Sequence, residues 1–258
     1  MYTKALPENF AEQRDYLDQL ELILTGIAKK DPPYRDGPIK YDEGYRREVR
    51  DLGLDWPTTA LTMVGGKRLH NFRRLIERVI RNDIPGDIIE TGVWRGGASI
   101  LARAVLKAHN VTDRRIIVAD SFQGLPPPNV DIWPADRESD LHIYPELAIS
   151  LEQVQANFQS FGLLDEQVVF LKGWFRDTMP LVPSNCLSII RLDGDMYEST
   201  IDPLNHLYDR LSPGGWVIVD DYHMIPACKQ AVHDFFDARG IHPSLRPIDL
   251  CGVFFRKS

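Results

Sequence analysis

The sequence predicts an α/β fold, a mostly parallel sheet with helices on both faces, and three observations carry that expectation. From Asp87 onward short apolar runs alternate with stretches of helical periodicity, as consecutive βαβ units with right-handed crossovers require. A glycine-rich turn, Glu90-Thr91-Gly92-Val93-Trp94-Arg95-Gly96-Gly97, follows the first of these runs. Two acidic clusters, Asp193-Gly194-Asp195 and Asp220-Asp221, end two later runs, the place where parallel α/β sheets bind ligands. With 258 residues, 43% of them hydrophobic, the chain can bury a full α/β core.

Taken in order, Leu17, Leu20, Ile23, Leu24 and Ile27 recur at helical spacing until Asp31-Pro32-Pro33 stops the helix, which reads as an isolated amphipathic element. A polar connector rich in Tyr and Arg follows. Leu69, Phe72, Leu75, Ile76, Val79 and Ile80 then form one apolar stripe that ends near Pro85-Gly86 and should pack on the sheet. Strands are expected at 88–89, 116–118, 168–171, 187–192 and 216–219, and helices at 99–108, 151–161, 199–211 and 227–238. Segments 245–250 and 252–256 are joined by a tight link and should close the sheet as an antiparallel hairpin. The organisation expected is an N-terminal helical extension over 1–54 and one domain over 55–258. Residues 124–147, with three successive prolines, Trp133, His142 and Tyr144, are too long for an ordinary connection and are expected to form a lid.

Composition excludes several functions. A net charge of −7 without a basic stripe argues against a nucleic-acid partner. Cys186, Cys228 and Cys251 lack metal-type spacing and fit free thiols in a reducing cytoplasm. The first eleven residues carry no apolar signal region, and no run approaches the roughly 20 apolar residues of a membrane span.

The glycine turn lets the backbone pass tightly from a strand into a helix N-terminus beside a ligand, although the same glycines also serve helix–sheet packing. Asp120, at the end of the second strand, suits the two hydroxyls of a ribose, which implies an adenosine-bearing cofactor. The turn lacks the Lys-Ser/Thr of a P-loop and departs from G-x-G-x-x-G at Thr91 and Trp94. S-adenosylmethionine, whose sulfonium suits Glu90, fits better than NAD. Gly173-Trp174-Phe175 would set an indole and backbone amides near an adenine. Asp193, Asp220 and Asp221 offer oxygen-only ligation, which points to Mg²⁺, Mn²⁺ or Ca²⁺ rather than zinc. Asp195 is the candidate general base, with His223 its rival and His142 a third possibility. Tyr34, Tyr41 and Tyr45 can stack on an acceptor or pack the extension.

At these residues the chain resembles the macrocin O-methyltransferase family. The resemblance runs from about Asp55 and rests on Thr62-Met63-Val64-Gly65, the glycine turn, Asp120-Ser121-Phe122-Gln123-Gly124, Gly173-Trp174-Phe175, Asp193-Gly194-Asp195 and Asp220-Asp221-Tyr222. It implies a seven-stranded class I methyltransferase sheet and Mg²⁺ on Asp193, Asp220 and Asp221. It also implies Asp195 as base and a homodimer whose N-terminal region helps close the site. The expected cofactor contacts are Met63, Glu90, Thr91, Gly92, Val93, Trp94, Arg95, Gly96, Gly97, Ala98, Ser99, Asp120, Ser121, Phe122, Gly173, Trp174, Phe175 and Asp193. The expected reaction moves a methyl group from S-adenosylmethionine to a sugar hydroxyl of a glycosylated natural product of macrolide or aminocoumarin type. A catechol acceptor with the same metal chemistry, an NAD-dependent oxidoreductase and a catalytically silent cofactor-binding protein are the alternatives.

Overall fold

The computed structural model describes residues 10–35 and 44–258; Tyr41 and the segment 1–9 lie outside the described residues. Seven strands form one sheet: β1 (Asp87–Thr91), β2 (Ile116–Asp120), β3 (Val168–Lys172), β4 (Leu187–Leu192), β5 (Leu211–Val219), β6 (Arg246–Pro247) and β7 (Val253–Arg256). Their lateral order is β3-β2-β1-β4-β5-β7-β6. The first five pair in parallel, while β7 runs antiparallel to both β5 and β6. The helices are α1 (Phe10–Leu24), α2 (Arg47–Asp51), α3 (Gly65–Arg81), α4 (Gly97–Ala108), α5 (Leu151–Ser160), α6 (Phe175–Thr178), α7 (Tyr197–Leu207) and α8 (Pro226–Arg239).

Period-two alternation explains how both faces of the sheet are covered. Ile88, Ile116, Val118, Ile189, Trp216 and Ile218 point to one side, where they pack with apolar residues of α1, α3, α4 and α5. Ile89, Ile117, Ala119, Ile190, Val217 and Val219 point to the other, against α7 and α8. Helix ends follow the chemistry of their residues. Ser150 caps α5 by accepting from the Gln153 N–H at 3.2 Å, and α8 starts at Pro226 and stops at left-handed Gly240.

Three sequence expectations need correction. Helix α1 is not isolated, because Leu17, Leu20 and Leu24 are buried in the same core as α3 and α4, and only Ile23 of the predicted stripe is exposed. β5 begins at Leu211, five residues early, so the preceding helix gives way to a 3-10 turn at Tyr208–Arg210. The first strand of the terminal hairpin shrinks to Arg246–Pro247, because Asp249 Oδ1 accepts from the Cys251 and Gly252 N–H groups at 2.8 and 2.9 Å and folds the chain into a turn.

One buried ion pair crosses the expected boundary at 54/55. Arg50 is fully buried and donates from Nε and Nη2 to the two oxygens of Asp55 at 2.8 and 2.6 Å, and further to the carbonyls of Thr25 and Asp31 at 2.9 Å each. A bidentate guanidinium thus holds α2 and the end of the α1 segment to the domain. Asp55→Ala leaves that charge uncompensated and is expected to cost about 3–5 kcal/mol, a drop in Tm of roughly 10 °C. Thermal melts check this, and a drop under about 2 °C would remove Arg50 from that role.

Candidate active site

The chain order reverses between β1 and β4, and the crevice at their carboxyl ends is where an α/β sheet binds its ligand. Here the loops after the two strands touch. The Asp193 N–H donates to the Thr91 carbonyl at 2.9 Å, and a Cβ on Gly92 would lie 1.7 Å from the Asp193 carbonyl oxygen. Gly92 also has a φ of +87°, so glycine is required twice over. Gly97 donates to the Leu61 carbonyl at 2.9 Å and brings the Thr62-Met63-Val64 segment against the N-terminus of α4. Arg95 secures the same neighbourhood by donating to the Ala60 carbonyl at 2.9 Å, with its guanidinium 4.0 Å from the Trp94 ring centroid.

A cleft of about 370 Å³ opens above this point. Met63, Gly92, Trp94, Asp120, Ser121, Gly173, Trp174 and Phe175 line it from the expected cofactor set, and Asp193, Asp195, Asp220 and Asp221 line it from the acidic clusters. Asp120 accepts from the Val93 and Phe122 N–H groups at 2.8 and 2.7 Å, which orients its carboxylate toward the cleft. Burial raises its pKa, and those backbone donors oppose the rise. Glu90, Thr91, Val93, Arg95, Gly96, Gly97, Ala98, Ser99 and Phe122 of the expected cofactor set are not among the residues that line the cleft. Glu90 in particular does not face the cleft. It is buried, accepts from Ser99 Oγ and pairs with Arg191 at 2.7 Å. Burial drives its carboxyl up to about 7, while Arg191 and Ser99 act against that rise.

Asp193, Asp220 and Asp221 each offer a carboxylate oxygen within 4.8 Å of the others. That spacing suits a single oxygen-ligated cation, so these residues fit the expected ion. Asp195 sits beside them in the left-handed region at φ +61°, and its N–H donates to Asp221 Oδ2 at 3.2 Å. Non-glycine residues held there are strained, and Trp94 and Phe122 share that conformation around the same crevice. Burial first, and then the neighbouring carboxylates, lifts Asp195 to about 7 and Asp221 well above its ordinary value. Asp220 rises to about 6 through burial, with Arg68 opposing.

His223 is brought elsewhere. Its side chain is exposed, its ring lies edge-on to Tyr222 and it does not line the cleft. His142 is exposed as well. The 124–147 segment carries three 3-10 turns, all from Pro134 onward, and docks on the domain. Buried Asp136 accepts from the first N–H groups of α7, those of Tyr197 and Glu198, at 2.6 and 3.1 Å. Trp94 Nε1 donates to the Glu146 carbonyl at 2.9 Å, and the Tyr34 hydroxyl donates to the Glu146 carboxylate at 2.6 Å. Tyr45 instead lies against Arg50.

Sequence reasoning missed Arg68 and Arg191. Arg191 bridges Glu90, Asp193 and Asp220, and Arg68 bridges Asp220 and Asp249. For Arg191 the available signal was a charge inside an otherwise apolar strand, which is seldom fully buried without partners; Arg68, on α3, carried no such signal.

This strand order, with a glycine turn after β1 and acidic ends on β2, β4 and β5, defines an S-adenosylmethionine-dependent class I methyltransferase. Residues 13–257 match the family described as Macrocin-O-methyltransferase (TylF), and the chain belongs to that family. It is 50% identical over 244 residues to demethyldecarbamoylnovobiocin O-methyltransferase of Streptomyces niveus, covering 94% of this chain and 93% of that one. It is 49% identical over 246 residues to mycinamicin III 3''-O-methyltransferase of Micromonospora griseorubida, covering 94% and 96%. The solved structure of the O-methyltransferase NovP superposes with a TM-score of 0.91 at 49% identity, covering 95% of this chain and 99% of that one. The calicheamicin methyltransferase CalS11, 22% identical with a TM-score of 0.60 and coverage of 99% and 98%, shares the fold. The oxidoreductase alternative is thereby set aside. Among the described residues no helix is long and apolar enough to cross a membrane.

Proposed function

We propose that this enzyme methylates a sugar hydroxyl of a glycosylated natural product of macrolide or aminocoumarin type, with a Mg²⁺-class ion held by Asp193, Asp220 and Asp221. The observation that carries the reading is the meeting, in one cleft, of the glycine turn, the three ion-holding carboxylates and Asp195. A relative named for a rhamnosyl-bearing acceptor, 52% identical over 245 residues, supports the substrate class. An apolar rim of Leu54, Trp56, Leu125, Pro126, Leu141 and Met224 suits a large, weakly polar aglycone. The reading carries with it a cytoplasmic homodimer, with residues 1–54 and the lid over 124–147 shaping the acceptor side.

When bound, S-adenosylmethionine supplies an electrophilic methyl group, and the ion supplies positive charge that acidifies a nearby hydroxyl. The chain does the rest. Asp120 and the Gly173-Trp174 backbone hold the adenosine end, and Gly92 lets it approach the sheet. Asp193, Asp220 and Asp221 would hold that cation beside the acceptor hydroxyl. Asp195 takes the hydroxyl proton on its carboxylate, in the strained position that aims it into the cleft. Alignment of oxygen, carbon and sulfur supplies further acceleration. Competition between glycoside and catechol acceptors tests the substrate class: methylation of catechols with no glycoside product would reject it.

The raised carboxyls predict a pH dependence. Asp195 and Asp220 hold protons in the folded protein at pH values where the unfolded chain has lost them, so the ion-free fold loses stability as pH rises from about 4 through about 7. Cation binding requires the ionised forms and displaces those protons. Apparent Mg²⁺ affinity should therefore rise between pH 6 and 8, and Mg²⁺ should raise Tm more at pH 8 than at pH 6. Equal Tm shifts at both values would contradict the site.

A further inference from the structure

We infer that Arg191 is a positioning residue that makes occupancy of the cofactor turn and occupancy of the Asp193, Asp220 and Asp221 trio mutually dependent. The inference rests on the metal and cofactor reading above. Arg191 is the penultimate residue of β4, with Glu90 of β1 and Ile218 of β5 as its register partners, and is 1% exposed. Its Nη1 is shared between Glu90 Oε1 and Asp193 Oδ2, at 2.7 Å each, and its Nη2 bonds Asp220. One guanidinium therefore grips the carboxylate at the end of the cofactor strand and two of the three ion-holding carboxylates. Glu90 is bonded in turn by Ser99 in the first turn of α4, the helix that the glycine turn opens. Ser99, Glu90, Arg191 and the pair Asp193 and Asp220 form one continuous path of charge-assisted bonds, buried throughout except at Asp193.

The shared Nη1 gives the path its direction. The two hydrogens of Nη1 go one to each carboxylate, so the guanidinium moves toward one acceptor when the other is engaged elsewhere. Positive charge within the trio draws on Asp193 and Asp220, so Arg191 settles more firmly on Glu90. Through Ser99 that steadies the α4 N-terminus, which frames the cofactor. Asp220 is held on its far side by Arg68, which also donates to the Leu52 and Gly53 carbonyls at 3.1 and 3.2 Å, so it cannot swing away to relieve the pull. Each ligand should thus raise the affinity for the other, by the same factor in both directions. A lysine keeps the charge but lacks the planar fork that reaches three carboxylates.

The test is calorimetry on the full chain. S-adenosylhomocysteine is titrated with chelator and with saturating Mg²⁺, and Mg²⁺ is titrated with and without S-adenosylhomocysteine. The homocysteine product carries no sulfonium, so direct repulsion of the ion is removed. The expected result is at least a fivefold tightening of each ligand by the other, equal in both directions. Arg191→Lys should reduce that ratio to under twofold. Should the variant fail to fold, Ser99→Ala cuts the same path without changing charge and should also lower the ratio. A wild-type ratio near one, or an undiminished ratio in whichever variant folds, overturns the inference while leaving the methyltransferase reading intact. Failure of S-adenosylhomocysteine or Mg²⁺ to bind at all defeats that reading and takes the inference with it.

Discussion

Asp195→Asn is expected to lower kcat by about 10²–10⁴-fold while leaving the affinities for S-adenosylhomocysteine and Mg²⁺ close to wild type. The amide is nearly isosteric and keeps the fold of the Asp193-Gly194-Asp195 turn, but it cannot take a proton. Asp195 does not belong to the trio whose oxygens lie within 4.8 Å of one another, so its replacement leaves the ligand set for the ion intact. Its neighbourhood still matters to its chemistry. Burial and the adjacent carboxylates lift its pKa to about 7, toward the range in which a base works near neutral pH. Steady-state kinetics on an active glycoside, with parallel calorimetry, checks both halves. A loss under tenfold across the pH range would take the base role away from Asp195.

Gly92→Ala should abolish measurable cofactor binding and lower stability together. The added methyl would stand 1.7 Å from the Asp193 carbonyl oxygen, a backbone atom that no rotamer change can move. The φ of +87° adds about 1–3 kcal/mol of left-handed strain, and forced repacking adds about 1–3 kcal/mol more. Relief requires the loops after β1 and β4 to part, which displaces Asp193 and pulls apart the two halves of the site. Titration with S-adenosylhomocysteine and thermal melts measure the effect. Wild-type affinity and Tm in this variant would mean that the two loops do not need their close approach.

Much of the fold was legible because strands buried on both faces leave continuous apolar runs, as at Ile116-Ile117-Val118 and Trp216-Val217-Ile218-Val219, and because Pro226 and Gly240 mark the ends of a helix. The lateral order of the strands was not legible from the residues themselves, since pairing β4 beside β1 depends on contacts about a hundred residues apart. The residues gave five strands and a terminal hairpin, and the family resemblance supplied their arrangement as a class I methyltransferase sheet. The site was legible as clusters at strand ends: Gly92, Asp120, Asp193, Asp195 and Asp220-Asp221 all line one cleft. The residues named Asp195 the candidate base and left His223 its rival, because both lie two residues beyond a carboxylate; the turn geometry places Asp195 in the cleft lining and leaves His223 exposed. Arg191 was hidden in the run Leu187 to Leu192, whose apolar pattern marks a strand regardless of a single charge. The docking of the 124–147 segment was equally hidden, since Asp136 reads as one more polar loop residue until α7 is placed against it.

The central claim is that the carboxylate trio holds an ion needed for methyl transfer to a sugar. The direct measurement is turnover of a glycoside acceptor, with mycinamicin III and demethyldecarbamoylnovobiocin as probes, by mass spectrometry on protein stripped of divalent ions and then resupplied with Mg²⁺. The expected result is a singly methylated product that disappears with chelation and returns with Mg²⁺. Undiminished turnover in the stripped protein would contradict the role given to Asp193, Asp220 and Asp221.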